Sequence, residues 1–484
     1  MTQTITAEPG NGALPTPIEG AVTKAPSPNG PLAERLFREF DRRGVRYCVL
    51  RNFLGLPQLV GGDMDILVHP QDLGTAEQIV HSVRHEHLIV RREVRNDHVQ
   101  YQVVSALELE RACREQRAAE GLAIDFQTRL QYKGLDYLDA EAVLSERARF
   151  GRIAVCGPRH HAAHVACHAM LDKNAVKPEY RDTVAAALSA QGAGAFTALE
   201  PFVGPAMAER LAGAWESGNE TSILKTRGAL IAGLVRSRPR ALLSAAAFHW
   251  RKVRRIARAL VCPPGVLVTT AGPDGVGKTT LLEQVHTVLS GNFVLVHEQY
   301  MGWKDFILPT KKVLGALERV LKRRPGSDGP PSHSEARSPG SRKLPWTHNL
   351  SVLHYVADLW ARYVIRIRPV LGRGGLVLCD RYFYDLLVRN VWVCRNRWSR
   401  AALCIVAPRP SVTVLFHGDP QVISARKDEL TPAEVKLEMD RFADLKSCVR
   451  GGSLVDLDAT APLGENVLHV VRAIVDAARK EGFS

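Results

Sequence analysis

Residues Ala271 to Thr280 read AGPDGVGKTT, so that four residues separate Gly272 from Gly277-Lys278-Thr279. An apolar run, Val266 to Thr270, precedes this stretch and a helical pattern follows it. A glycine-rich turn from strand to helix lets successive backbone N–H groups converge on a phosphate, and the helix N-terminus adds partial positive charge. Lys278 then bridges the outer phosphates of a nucleotide, and the Thr279 hydroxyl ligates magnesium. Gly272, Gly275, Gly277, Lys278, Thr279 and Thr280 are therefore the expected nucleotide-binding residues, with ATP and magnesium as cofactors.

A second chemical element lies about 100 residues further on, where the apolar run Leu376-Val-Leu-Cys379 ends in Asp380-Arg381-Tyr382. An acid at the C-terminal end of a buried strand sits where a phosphate loop presents its metal. An adjacent arginine reaches a transferring or accepting phosphate. Asp380 joins Thr279 as an expected magnesium ligand, and Lys278, Asp380 and Arg381 are expected to carry phosphoryl-transfer chemistry.

These residues need a scaffold. From Val266 onward strand and helix alternate: Phe293 to His297, a long helix from about Asn349 to Leu371, Leu376 to Cys379, Ser411 to Phe416, then helices. Alternation of this kind means a parallel sheet wrapped by helices. Within it, Arg323 to Lys343 is rich in Pro, Gly and Ser without apolar periodicity, and reads as a mobile insertion. Upstream, strand-like runs at Val45 to Leu50, Asp65 to His69, Leu88 to Val104 and Leu122 to Phe126 describe an α+β domain. Alanine-rich helical patterns then fill residues 159–261. The expected organisation is a disordered tail over 1–30, an α+β domain over 31–158, a helical region and basic linker over 159–261, and the phosphate-loop domain over 262–484.

The C-terminal half resembles the thymidylate kinase family of P-loop nucleoside monophosphate kinases. The likeness rests on Asp274 in the loop, Asp380-Arg381-Tyr382, Asp419-Pro420, Ser424 to Glu429, and Leu457-Asp458-Ala459 before a terminal helix. It implies transfer from ATP to a small phosphate acceptor, a catalytic role for Asp274, and a lid around Arg426 whose cations stabilise the moving phosphoryl group. Two departures bear on the acceptor. The family's Arg-Glu-Pro-Gly-type turn is replaced by His297-Glu298-Gln299-Tyr300, and its helix arginine falls at Leu359, with Arg362 one turn later. The acceptor is thus a nucleoside monophosphate by resemblance, with a sugar or other pathway intermediate as the alternative.

The N-terminal half resembles the nucleotidyltransferase superfamily over roughly Tyr47 to Gln131. Asp63 and Asp65 alternate along one strand, hence share a face, and Asp125 sits in a similar strand. Three converging carboxylates would hold divalent metal. The family's glycine-serine pair is replaced by Arg51-Asn52, and Arg51 is itself able to neutralise the carboxylates and leave a metal-free relic. The fusion of the two halves resembles bacterial proteins associated with polysaccharide biosynthesis, which leaves a non-catalytic nucleotide-sensing subunit of an assembly complex as a reading from another class.

The whole chain of 484 residues has 64 Lys and Arg against 50 Asp and Glu, a formal charge of +14. That excess favours phosphate-bearing ligands, nucleic acid or an anionic membrane. No recognisable nucleic-acid module is present, so no nucleic-acid partner is expected. The basic stretch 236–258 is consistent with weak anionic membrane contact or, more simply, a solvated linker helix. His160, His164 and His168 recur at helical spacing, which could align imidazoles for a metal but reads more simply as an interior or interface helix, since no carboxylate joins the register. Nine scattered cysteines without a CxxC suit a reducing, cytoplasmic setting. A homodimer is left open.

Overall fold

In the computed structural model the chain divides into two compact units, the first running to Arg258 and the second from Ala259 to Gly482 in its main part. The structure describes residues 27–58, 63–82, 87–95, 98–237, 239–302, 306–308, 345–389, 397–426, 430–447, 449 and 451–482. The insertion 323–343, most of the tail and Lys427 to Glu429 lie outside these residues.

The first unit is built on a mixed seven-stranded sheet. Its strands are β1 (Tyr47–Val49), β2 (Asp63–Val68), β3 (His87–Arg95), β4 (His98–Ser105), β5 (Leu122–Gln127), β8 (Ala148–Phe150) and β9 (Ile153–Val155), in the order β3-β4-β5-β2-β1-β9-β8. A separate hairpin pairs β6 (Leu130–Tyr132) with β7 (Leu135–Leu138). Alternation along β1 and β2 sends Tyr47, Val49, Ile66 and Val68 to one face, where they bury Leu36 and Phe40 of the helix Gly30–Arg42. Cys48 and Leu67 face the other way, into a core shared with Ala163, Val184, Leu211 and Leu230 of successive helices between Pro158 and Arg236. The alanine-rich helices thus form the third layer of this unit.

The second unit carries a five-stranded sheet made of β10 (Val266–Ala271), β11 (Val296–Tyr300), β12 (Leu376–Asp380), β13 (Val412–His417) and β14 (Ser453–Asp458). Every pair is parallel, in the order β11-β12-β10-β13-β14. The fold class is α/β, as the alternating pattern requires. β10, the central and first strand, is buried along its whole length. The chain after β10 fills one side of it with β11 and β12 and then the other with β13 and β14, so the crevice at its C-terminal end is a topological switch point, where open α/β sheets bind ligands. The phosphate loop and Asp380 both open there. Strand β11 begins three residues later than the apolar run Phe293 to His297 suggests, because Phe293 is spent as a buried anchor ahead of it.

Candidate active site

The loop from Gly272 to Gly277 joins β10 to the helix Lys278–Leu289. Gly275 and Gly277 have φ of 85° and 97°, a region that a side chain disfavours, and this turns the backbone into a cradle ahead of the helix N-terminus. Lys278 is buried, and its Nζ donates to the carbonyls of Gly272 at 2.9 Å and Pro273 at 2.7 Å. Burial pushes its pKa down, opposed by Asp274, whose Oδ1 lies 3.6 Å away. Thr279 and Thr280 stand exposed on the first helical turn.

Asp380 ends β12, where the parallel register with β10 aligns Cys379 with Thr269. Its Oδ2 accepts a 2.9 Å hydrogen bond from the Thr279 hydroxyl, while Oδ1 is buried with no hydrogen-bond partner. One hydroxyl and one unsatisfied carboxylate oxygen side by side fit the hard oxygen-ligand preference of magnesium. Thr279 and Asp380 are the residues that would hold it.

Arg381 takes φ of 66°, a strained conformation for a non-glycine residue, and this turns it away from the strand direction. Its guanidinium donates to Asp274 Oδ1 at 2.6 Å and to Asp385 Oδ2 at 3.3 Å, and it lies over the Tyr300 ring at 5.9 Å. Burial works against the charge, but Asp385 and Asp274 outweigh it and raise the Arg381 pKa, so the guanidinium stays cationic. Asp274 therefore links the loop, Lys278 and Arg381. Arg426 is exposed at the end of the helix Pro420–Arg426, and no contact joins it to this cluster among the described residues.

Three members of this neighbourhood carry no motif. Tyr300 is the register partner of Asp380 at the end of β11, and burial raises its pKa. Asp385 follows Arg381 by four residues, a spacing that is visible in the sequence. Arg362 is fully buried against Asp358 at 2.6 Å and donates to the Gly302 carbonyl at 3.0 Å. The other oxygen of Asp358 accepts from the backbone N–H groups of Ile307 and Leu308 at 2.8 and 2.9 Å. Arg362 and Asp358 thus clasp the chain after β11.

In the first unit β2 and β5 run parallel with Asp65 opposite Asp125. Asp63 is exposed, while Asp65 and Asp125 are buried. Arg51 Nη2 lies 2.7 Å from Asp65 Oδ2, off hydrogen-bond alignment, and Arg51 Nη1 donates to the Tyr180 hydroxyl at 3.0 Å. His98 Nε2 lies 2.6 Å from Asp125 Oδ1. Burial raises the Asp65 pKa, with Arg51 opposing. No group of three His, Cys, Asp or Glu close enough to hold a metal occurs among the described residues. The histidine helix, Pro158–Cys167, is interior: His164 contacts the Tyr137 hydroxyl at 3.2 Å and His161 packs on Phe53.

Parallel sheet, phosphate loop and strand-end Asp–Arg pair make the second unit nucleotide-kinase-like. Comparison with known proteins gives the same class. The chain is 27% identical over 230 residues to the thymidylate kinase of Xanthomonas oryzae pv. oryzae, covering 46% of this chain and 88% of that protein. It is 26% identical over 222 residues to the thymidylate kinase of Xanthomonas campestris pv. campestris, covering 45% and 85%. With the thymidylate kinase of an Exiguobacterium species it shares 28% over 177 residues, covering 34% and 68%. No protein-family model matches the chain. A kinase region under half the chain's length is thus supported.

Proposed function

We propose that the second unit transfers the terminal phosphoryl group of ATP to a nucleoside monophosphate. The observation that carries this reading is the cluster of Thr279, Asp380, Lys278 and Arg381 around the cradle, with Asp274 bonded to Arg381 and close to Lys278. The loop N–H groups and Lys278 bind the outer phosphates. Thr279 and Asp380 would hold magnesium, which would supply positive charge to the phosphate oxygens. Arg381, held cationic between Asp274 and Asp385, meets the same negative charge from the acceptor side. Arg426 adds to it from the lid in the family's manner. With Arg362 committed to Asp358, acceptor contact falls to Arg381 and Tyr300. The nucleoside monophosphate is favoured by the name of the matched relatives.

The nucleotidyltransferase likeness of the first unit extends, in this reading, to carboxylate positions and not to catalysis, because Arg51 supplies the charge that a metal would supply. ADP release is the test. Wild-type protein is offered magnesium-ATP with nucleoside monophosphates and, separately, sugar phosphates. Nucleoside monophosphates should raise ADP release and Lys278→Ala should remove it, with circular dichroism unchanged. Turnover only with sugar phosphates would replace the acceptor. ATP binding without turnover on either panel would make the unit a sensor.

A further inference from the structure

The helix Ala241–Val261 has one side fastened and the other bare. Ala241 is buried and Ala245 packs against the core of the first unit. The turn between β6 and β7 meets the helix at Gly134, where a Cβ would press on the Ser244 carbonyl, the Ala245 Cα and the Phe248 Cβ at 2.6, 3.0 and 3.0 Å. Glycine is what lets the helix backbone sit this close. At 3.6 residues per turn a stripe about a third of the way round from this contact carries Leu242, Trp250, Val253 and Ile256, and these are 66%, 68%, 55% and 51% exposed. Docking through Gly134 leaves that stripe uncovered by its own unit. Lys252 and Arg254 flank the stripe and Arg255 and Arg258 lie behind it, while no acidic residue occurs from Thr221 to Pro273.

We propose that this helix rests in the plane of an anionic lipid bilayer, its apolar stripe at the boundary of headgroups and acyl chains and the flanking Lys252 and Arg254 on lipid phosphates. Charge decides the occupant. A second copy laid on the same face would bring Lys252 and Arg254 against their own kind with no acid on the helix to answer them, whereas an anionic headgroup layer supplies the counter-charge along the whole length. No described helix is long and apolar enough to cross a membrane, so the contact is in-plane.

Flotation of the full chain with vesicles tests this. Phosphatidylcholine vesicles containing phosphatidylglycerol should carry the protein up, pure phosphatidylcholine vesicles should not, and high salt should release it. Replacing Lys252 and Arg254 by Gln should weaken binding about twenty-five-fold, at roughly a factor of five for each basic residue. Trp250→Ser with Ile256→Ser keeps every charge and should still weaken binding about tenfold or more, since the stripe no longer inserts. Val253→Glu repeats the test should the double variant lose helix content. The proposal is overturned by any of three results: no flotation with anionic vesicles, equal flotation with neutral ones, or wild-type binding by both apolar-face variants, which would leave net charge alone as the cause. Conversion of a dimer to a monomer by the apolar-face variants in sedimentation velocity would also overturn it and give the face to a second copy.

Discussion

Each unit sets an aspartate of its sheet beside an arginine, and the two aspartates are left in opposite chemical states. Asp65 lies 2.7 Å from Arg51, which is itself anchored by Tyr180. Asp380 is next to Arg381 in the chain, yet Asp274 and Asp385 draw that guanidinium away. The second carboxylate is left with a hydroxyl on one oxygen and nothing on the other. A carboxylate's fitness for metal is thus set less by its strand position than by which acids claim the nearest guanidinium. The positive φ of Arg381 serves this diversion, and the local strain is offset by two ion pairs.

The largest effect should come from breaking the open state of Asp380. Asp380→Asn keeps the hydrogen bond to Thr279 feasible but removes the charge that magnesium requires. Turnover should fall about a hundred- to a thousandfold, with a much smaller change in ATP affinity. Single-turnover ADP formation and equilibrium ATP binding separate the two. Equal losses in both would mean that Asp380 acts in binding and not in transfer.

Next comes the closed state of Asp65. Arg51→Ala strands a buried carboxylate and should destabilise the first unit by about 3 kcal/mol. Urea unfolding followed with saturating ATP assigns the transition, because ATP raises only the unit that binds it. Adding Asp65→Asn in the same chain should recover most of the loss. A single Arg51→Ala variant as stable as wild type would show that the pair does not hold this site together.

The histidine helix sharpens the comparison by acid. Burial lowers the His161 pKa from 6.5 to about 4. A depressed histidine pKa means that the unfolded chain takes up a proton first, so stability is complete above pH 6.5 and drains as pH falls toward 4. This residue alone should cost about 2 kcal/mol at pH 5, and His160 and His164 shift in the same direction, burial being the first cause of each. His161→Leu should make the first unit less acid-sensitive in the same urea assay. Unchanged pH dependence would mean that His161 is not the group that titrates on unfolding.

The phosphate loop was legible because its chemistry is local: cradle, lysine and threonine are contiguous, and a strand before and a helix after suffice to aim them. Asp380-Arg381 was legible from its place at a strand end. Tyr300 was not, since its role depends on β11 pairing with β12 across a long stretch of chain. Nor was the Asp358–Arg362 clasp, which is an ordinary helical spacing until Ile307 and Leu308 are folded onto it. Strands β6 to β9 were missed because each is too short to show alternation. The basic residues of the helix Ala241–Val261 were plain in the sequence. That its apolar stripe is left bare follows only from how the folded helix docks, seen in the exposure of Leu242, Trp250, Val253 and Ile256.

The smallest effect is the one that divides relic from enzyme in the first unit. If Asp63, Asp65 and Asp125 formed an open metal site, their mutual repulsion would be relieved by a divalent cation, and stability would rise with metal concentration. Arg51 on Asp65 supplies that relief from within, His98 Nε2 lies against Asp125, and Asp63 stands apart in solvent. In a Lys278→Ala, Asp380→Asn background, which silences the second unit's site, magnesium or manganese should therefore leave the first unit's unfolding midpoint unchanged. Arg51→Ala should then expose what the arginine conceals. With the guanidinium gone, the buried carboxylates become a repelling pair, and manganese should now recover part of the lost stability. A metal-dependent gain with Arg51 intact would mean that the ion pair yields to a cation, and the first unit would regain its claim to catalysis.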